Sequence, residues 1–496
     1  MAELGRTLER LESRTSAISW VGKDRQTMFS DAVFSIVATI VVVTCEIGES
    51  EMNEEDFLLK DALLDHIPKF VAYFACFFVI SAYWGCHVRL YNLVVNSNDV
   101  LTWLNLLLLC VLSFLPLTLS LWADSASLAD YMSHFPSINL ALACLIFTFT
   151  IFYVFRDRAA HHTHITSSQK TRRRFIILLY AWFPTLIGLF CIYIYKLAEF
   201  ALCVVFVLVL LTAVVITRFE RWYLGHRLLD IAVQQVNSPL PMERIEAFSD
   251  GVYAISMTLM AVQIAEKLSS SAANEKFLEI FANSSVAYLT CFGLVSILWF
   301  VHHQLCHNIQ QSNPLIQTLN TLAISFVGGI PFSSGLIQHY ANPHSFDSAN
   351  FRINEEVCVQ FHCMVLFFSG LFQALMWVAA IHMRVTSVNY SSYADALLFF
   401  KTMVVPYVSC ILYLYSVFYE HSSSLFLALT CVTPFTFAAA NYCHRKRQSL
   451  TSFASRLFSR SDSTNNLQPG LLESSANSEI HRSDHHPYIS FSPSSP

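Results

Sequence analysis

About twelve runs of roughly 20 mostly apolar residues punctuate this 496-residue chain, and no other feature limits its fold so tightly. They fall at approximately 27–46, 67–88, 101–122, 137–155, 175–195 and 199–217 in the first half. In the second half they fall at approximately 247–265, 284–304, 315–337, 357–382, 397–418 and 424–443. Runs of that length match the thickness of a bilayer core when helical. Composition agrees: 13% of the residues are charged, where a soluble domain carries roughly 25%. The expected fold is an all-α polytopic membrane protein.

The loops alternate in charge, and that alternation sets the orientation. One side collects Arg6 to Arg25, Arg89, the cluster Arg156 to Arg174, Arg218 to Arg244, and Arg445 to Arg447. The alternate loops are acidic or polar; residues 46–65 carry Glu49, Glu51, Glu54, Glu55, Asp56 and Asp61 against Lys60. Both termini are therefore expected in the cytosol. The first twenty-odd residues are polar and show no secretory signal, so the first apolar span is expected to be retained. The cysteines, such as Cys76, Cys110, Cys144, Cys203 and Cys410, sit inside apolar runs with no CxxC pair and read as small hydrophobes. Asn283-Ser284-Ser285 matches a glycosylation pattern in a non-cytosolic loop, close to the next span.

The two halves repeat. Arg25-x-x-x-Phe29-Ser30-Asp31 returns as Arg244-x-x-x-Phe248-Ser249-Asp250. Trp84-x-x-His87-x-x-Leu90 returns as Trp299-x-x-His302-x-x-Leu305. Leu104-Asn105-x-Leu107 and Pro116 return as Leu319-Asn320-x-Leu322 and Pro331. An even number of spans per half makes the repeat parallel rather than inverted. The expected organisation is a cytosolic segment 1–26, repeat I at 27–220, a cytosolic linker 221–245, repeat II at 246–444 and a Ser-rich tail 445–496. That tail cannot bury enough apolar surface to fold and reads as disordered. It carries Tyr488-Ile-Ser-Phe491, a short pattern of the kind read by endosomal sorting adaptors.

The first helix of each repeat is the candidate lining of a conduction path. No charged residue lies between Asp31 and Glu46, or between Asp250 and Glu266. Ile36, Ile40 and Val43 share a helical stripe, as do Ile255, Leu259 and Val262. Hydroxyls of Ser35, Thr39 and Thr258 sit beside it. A ring of such stripes would form a hydrophobic constriction; ordinary helix packing uses the same spacing. Arg and Asp at the membrane edge need partners. Trp84, His87 and Asn105, with Trp299, His302 and Asn320, are placed to join them in a polar network that clamps helices one to three of each half. The alternative has the Trp as headgroup anchors and the His in water.

Other motifs are missing. There is no TVGYG filter, Walker A, kinase or hydrolase signature, GxSxG or HExxH, so an enzyme is not expected. His161, His162 and His164 lie in an Arg-rich stretch that reads as a topology signal or anionic-lipid contact, not as a metal site.

The duplicated RxxxFSD heading, the two sets of six spans and the Trp-x-x-His pattern resemble the endosomal and lysosomal potassium channel family called transmembrane protein 175. The resemblance covers roughly 25–444. It implies a homodimer with a pseudo-fourfold pore lined by the first helix of each repeat. The filter would fall on Ile36, Ile40, Val43, Ile255, Leu259 and Val262, narrowest at Ile36 and Ile255, while the RxxxFSD motifs hold the helices. The implied activity is a potassium leak and proton release from an acidic lumen, with no cofactor and no nucleic acid. A cytosolic regulatory protein or kinase is a candidate partner. The rival from another class is a secondary transporter with two six-helix halves; the uncharged middle of the two lining helices favours a channel.

Overall fold

The computed structural model describes residues 22–45, 47, 52, 56–95, 97–124, 134–156, 240–271, 277–340, 349–386 and 392–419, with scattered residues at 174–189 and 426–446. Repeat I contributes α1 (Lys23–Ile40), α2 (Ile67–Tyr91), α3 (Asp99–Ser113), α4 (Leu115–Asp124) and α5 (His134–Arg156). Repeat II contributes α6 (Met242–Ser271), α7 (Phe277–Asn308), α8 (Pro314–Gly328), α9 (Ile330–Tyr340), α10 (Ala349–His382) and α11 (Ser392–Phe418). All of them lie in one compact unit, Met1–Thr436; Phe437–Pro496 forms the other.

Among the described residues nine helical segments are long and apolar enough to cross a membrane, with α3–α4 and α8–α9 each acting as one broken span. They coincide with nine of the expected runs. The run at 199–217 lies outside the described residues, as do the linker from 221 to 239 and nearly all of the tail. Those at 175–195 and 424–443 are described only in part, so the nine segments do not establish a count of twelve. The His161–His164 cluster is also outside the described residues. Cys76, Cys110, Cys144 and Cys410 form no disulfide.

The repeat extends to helix ends and breaks. The Asn98 side chain caps α3 by accepting from the Leu101 amide at 2.9 Å; the Asn313 side chain caps α8 by accepting from Ile316 at 2.9 Å. Each capped helix then breaks just ahead of a proline. The break is at Phe114 before Pro116, and at Gly329 before Pro331, where the missing N–H and the ring interrupt the hydrogen-bond ladder.

The halves differ at the C-terminal end of the first helix. The hydroxyl bonds are common to both: Thr258 donates back to the carbonyls of Ala254 at 3.0 Å and Ile255 at 3.1 Å, as Thr39 does to those of Ser35 at 2.9 Å and Ile36 at 3.1 Å. The β-branched run that follows tightens into a 3₁₀ turn, Val41–Cys45. α6 has no such turn and continues to Ser271. In a 3₁₀ turn residues three apart eclipse, which keeps Val43 in line with Ile40.

Cross-repeat contacts need small residues. A Cβ on Gly251 of α6 would stand 2.7 Å from the Ser35 Cβ of α1, so the two first helices touch nearly backbone to backbone there. Tyr73 of α2 donates its hydroxyl to the Ser325 carbonyl of α8 at 2.6 Å, and a Cβ on Gly328 would collide with that same hydroxyl. Gly328→Ala is therefore expected to break the Tyr73 bond and to cost about 1–3 kcal/mol. Adding Tyr73→Phe, which removes the colliding oxygen, should recover part of the loss. Thermal unfolding of the two variants in detergent checks the order.

The first extramembrane loop is also pinned across repeats. The Asn354 side chain of α10 accepts from the Leu59 amide and donates to the Phe57 carbonyl, both at 2.8 Å, fixing the start of a short helix at Leu59–Asp65.

Candidate functional site

The polar residues singled out in the sequence sit together at one end of the first three spans of each repeat, the end where the first span begins. In repeat I the Trp84 indole donates to Asp31 Oδ1 at 2.7 Å. His87 Nε2 meets Asn105 Oδ1 at 2.9 Å, and Asn105 Nδ2 donates to Ser30 Oγ at 2.9 Å. Ser30 in turn donates to the Gln26 carbonyl at 2.9 Å. The chain of donors places a proton on the histidine Nε2, because an amide oxygen can only accept. Repeat II has the same bonds: Trp299 to Asp250 at 2.8 Å, His302 to Asn320 at 2.7 Å, and Asn320 to Ser249 at 2.9 Å. Each set ties first, second and third spans together through groups that would otherwise be unsatisfied in an apolar medium. His87 and His302 are both 1% exposed, so neither stands in water.

The arginine does not follow the expected half-by-half plan. Arg244 opens repeat II but binds repeat I: its Nε and Nη2 reach Asp31 Oδ2 and Oδ1 at 2.5 and 2.6 Å, a two-pronged pair. One turn on from it, Phe248 stacks on the Trp84 ring with centroids 4.6 Å apart. The heading of repeat II is thus the fastener between repeats. The heading of repeat I is open: Arg25 is exposed and makes no ion pair among the described residues, and Phe29 is 52% exposed. Sequence reasoning treated the two arginines as equivalent, and only the three-dimensional packing separates them.

Along the stripe, Ile36 and Ile40 are 46% and 45% exposed, Val43 is half-buried, Ile255 and Leu259 are half-buried, and Val262 is exposed. Between them α1 and α6 leave this apolar face uncovered by the other described residues. The hydroxyls divide differently from the expectation. Thr258 is exposed, but Ser35 and Thr39 are buried, Ser35 against the α6 crossing and both bonded to their own backbone. They lie one position to the side of the open stripe, on the face that α1 turns toward the chain's own helices. The reason is Gly251, which lets α6 close over Ser35. Among the described residues no group of His, Cys, Asp and Glu is arranged to hold a metal.

The sequence readings missed the two asparagine caps, the glycine crossings and the Phe248–Trp84 stack. The caps had a visible signal, an Asn three residues ahead of an apolar run in both halves.

Comparison with known proteins agrees with this duplicated layout. The family model described as endosomal/lysosomal potassium channel TMEM175 matches twice, at residues 25–116 and 244–331. A chicken (Gallus gallus) protein named endosomal/lysosomal proton channel TMEM175 is 29% identical over 443 residues, covering 83% of this chain and 85% of that protein. The human (Homo sapiens) protein of the same name is 27% identical over 420 residues, covering 78% and 79%. A potassium channel of Streptomyces collinus is 27% identical over 135 residues, 27% of this chain and 62% of that one. Among solved structures, a lysosomal potassium-selective channel TMEM175 homolog from Chamaesiphon minutus is similar at 21% identity. It covers 40% of this chain and 97% of its own, with a TM-score of 0.33.

Proposed function

We propose that this chain is a member of the endosomal/lysosomal potassium channel TMEM175 family and a multi-pass cation channel of endosomal and lysosomal membranes that passes potassium and protons out of an acidic lumen. The relatives' names supply the ions and the compartment: both potassium channels and proton channels stand among them. The observation that carries a pore is the uncovered apolar face of α1 and α6, with Ile36, Ile40 and Val262 exposed along stretches that contain no charge.

Two copies of the chain would bring four such helices around one axis, giving a homodimer with pseudo-fourfold symmetry. The constriction would be apolar, narrowest at Ile36 and Ile255, followed by Ile40, Leu259, Val43 and Val262. Such a ring conducts only when wet, so it discriminates by the cost of stripping or reshaping an ion's hydration shell. Because Ile36 belongs to a helix that ends in a 3₁₀ turn and Ile255 to one that does not, the pore is twofold in its details.

The test is current through protein reconstituted in vesicles under a potassium gradient. The expected result is a potassium leak conductance, together with acidification-driven proton current. Electroneutral exchange that saturates with ion concentration would overturn the channel in favour of a carrier.

A further inference from the structure

At the end of repeat I where α1 begins and α5 finishes, one arginine is drawn into the protein without an acceptor. Arg174, just ahead of the fifth apolar run, lays its guanidinium over two rings of α5, 5.0 Å from the Phe152 centroid and 5.6 Å from that of Phe155. Stacking fixes the guanidinium plane and leaves its in-plane N–H groups to find partners of their own. The Nε is buried and has none, and among the described residues Arg174 makes no ion pair. A buried donor left unmade is a defect that native proteins rarely carry. Other cations at this end are satisfied. Lys23 donates to the Val94 carbonyl at 2.6 Å, Arg244 pairs with Asp31, and Arg89 lies 4.0 Å over the Tyr180 ring and donates to the Gly85 carbonyl at 3.4 Å.

α5 brings a second cation and an apolar strip to the same place. Phe152 and Arg156 are one turn apart on one face, so Arg156, exposed at the helix end, stands beside the ring that carries Arg174. That face runs back through Phe149, Leu145, Leu142 and Ile138, spaced by threes and fours and all exposed. From Leu145 to Arg156 is about 16 Å of helix, roughly the depth of hydrocarbon in one leaflet.

We propose that this edge binds a phospholipid whose headgroup carries a phosphate monoester: Arg174 and Arg156 take the phosphate, and the strip on α5 takes an acyl chain. Two cations without a carboxylate call for about two negative charges, which a phosphate monoester carries near neutral pH and a bare phosphodiester does not. A guanidinium held flat on a ring presents a fixed fork that meets two phosphate oxygens at once. The buried Nε of Arg174 gains its acceptor in the same step. Repeat II shows no counterpart among the described residues. After α10 the chain reverses at Arg384, whose φ is 56°, and closes on the segment after α7, with the Gln310 amide donating to the Val385 carbonyl at 2.9 Å. Arg384 is exposed and has no ring beneath it among the described residues.

Native mass spectrometry of the full-length protein in mild detergent decides it, with phosphatidylinositol 4-phosphate, phosphatidylserine or phosphatidylcholine added in turn. The phosphate monoester lipid should bind at least about tenfold more tightly than phosphatidylserine, and phosphatidylcholine least. Arg174→Gln and Arg156→Gln should each weaken it roughly ten- to a hundredfold. Arg174→Lys keeps the charge without the fork and should fall between. Arg384→Asn is the control, since asparagine tolerates that backbone, and should change nothing. Inositol 1,4-bisphosphate, the headgroup without its chains, should bind at least about tenfold more weakly than the lipid. Equal retention of the phosphate monoester lipid and phosphatidylserine would overturn the phosphate site, as would wild-type retention by Arg174→Gln. A soluble headgroup bound as tightly as the lipid would remove the acyl strip and with it the lipid. If Arg174→Gln does not fold, Arg156→Gln, at an exposed position, carries the comparison under the same criteria. No ion flux enters the measurement, so its outcome is independent of the channel reading.

Discussion

Arg244→Ala should destabilise the chain by about 3–5 kcal/mol, the usual cost of stranding one member of a buried ion pair. The partner left behind is Asp31, 1% exposed, which keeps a single bond from Trp84. In an apolar surrounding one hydrogen bond does not replace a two-pronged cation. The same substitution removes the anchor that brings Phe248 over Trp84, so the repeats should separate as one event. The expected readout is a fall in monodisperse yield and in the thermal midpoint of the detergent-extracted protein. Arg25→Ala should leave the chain's own fold close to wild type, because Arg25 is exposed and makes no ion pair among the described residues. A double replacement, Asp31→Asn with Arg244→Met, should be milder than Arg244→Ala alone, since removing both charges strands neither. Equal thermal midpoints for Arg244→Ala and Arg25→Ala would contradict the asymmetry between the two headings.

That asymmetry marks the boundary of what the sequence could tell. Hydrophobic run length located nine helical segments because lipid imposes a length on any spanning helix, and length is a local property. The constant register of Trp84, His87 and Asn105 with Trp299, His302 and Asn320 located the hydrogen-bonded sets, because residues bonded in one copy keep their spacing in the other. What could not be read was which copy of a duplicated motif finds its partner inside the chain. Arg25 and Arg244 have the same neighbours in sequence, and their difference arises only from which side of α1 the second repeat packs on. The burial of Ser35 and Thr39 has a related origin. Each is one position away from a stripe residue, and a rotation of α1 of about 100° per residue separates the open face from the packed one. Gly251 settles which face is packed. Its lack of a side chain was visible, but its target was not.

Ile36→Asn should lower potassium-over-sodium discrimination, and so should Ile255→Asn. Ile36 is 46% exposed on a face with no charge from Asp31 to Glu46, so its side chain is supported on one side by α1 and is free to meet its counterparts on the other. Four branched apolar side chains around an axis make water in the gap costly, and an ion crossing it gives up part of its hydration shell. Potassium holds that shell less tightly than sodium, which is where discrimination arises. An asparagine amide both donates and accepts, and would hold water in the gap and stand in for the lost shell of either ion. A loss of only about 1.4 kcal/mol in the barrier difference between the ions reduces the permeability ratio tenfold. The reversal potential under potassium outside and sodium inside should then move toward zero, with larger current from the hydrated gap. Ile36→Val is the control: it keeps the ring apolar while trimming one methylene, and should retain most of the selectivity. If both asparagine variants keep the wild-type reversal potential while conducting, the constriction lies elsewhere on the stripe, and Ile40 with Leu259 becomes the next pair to replace.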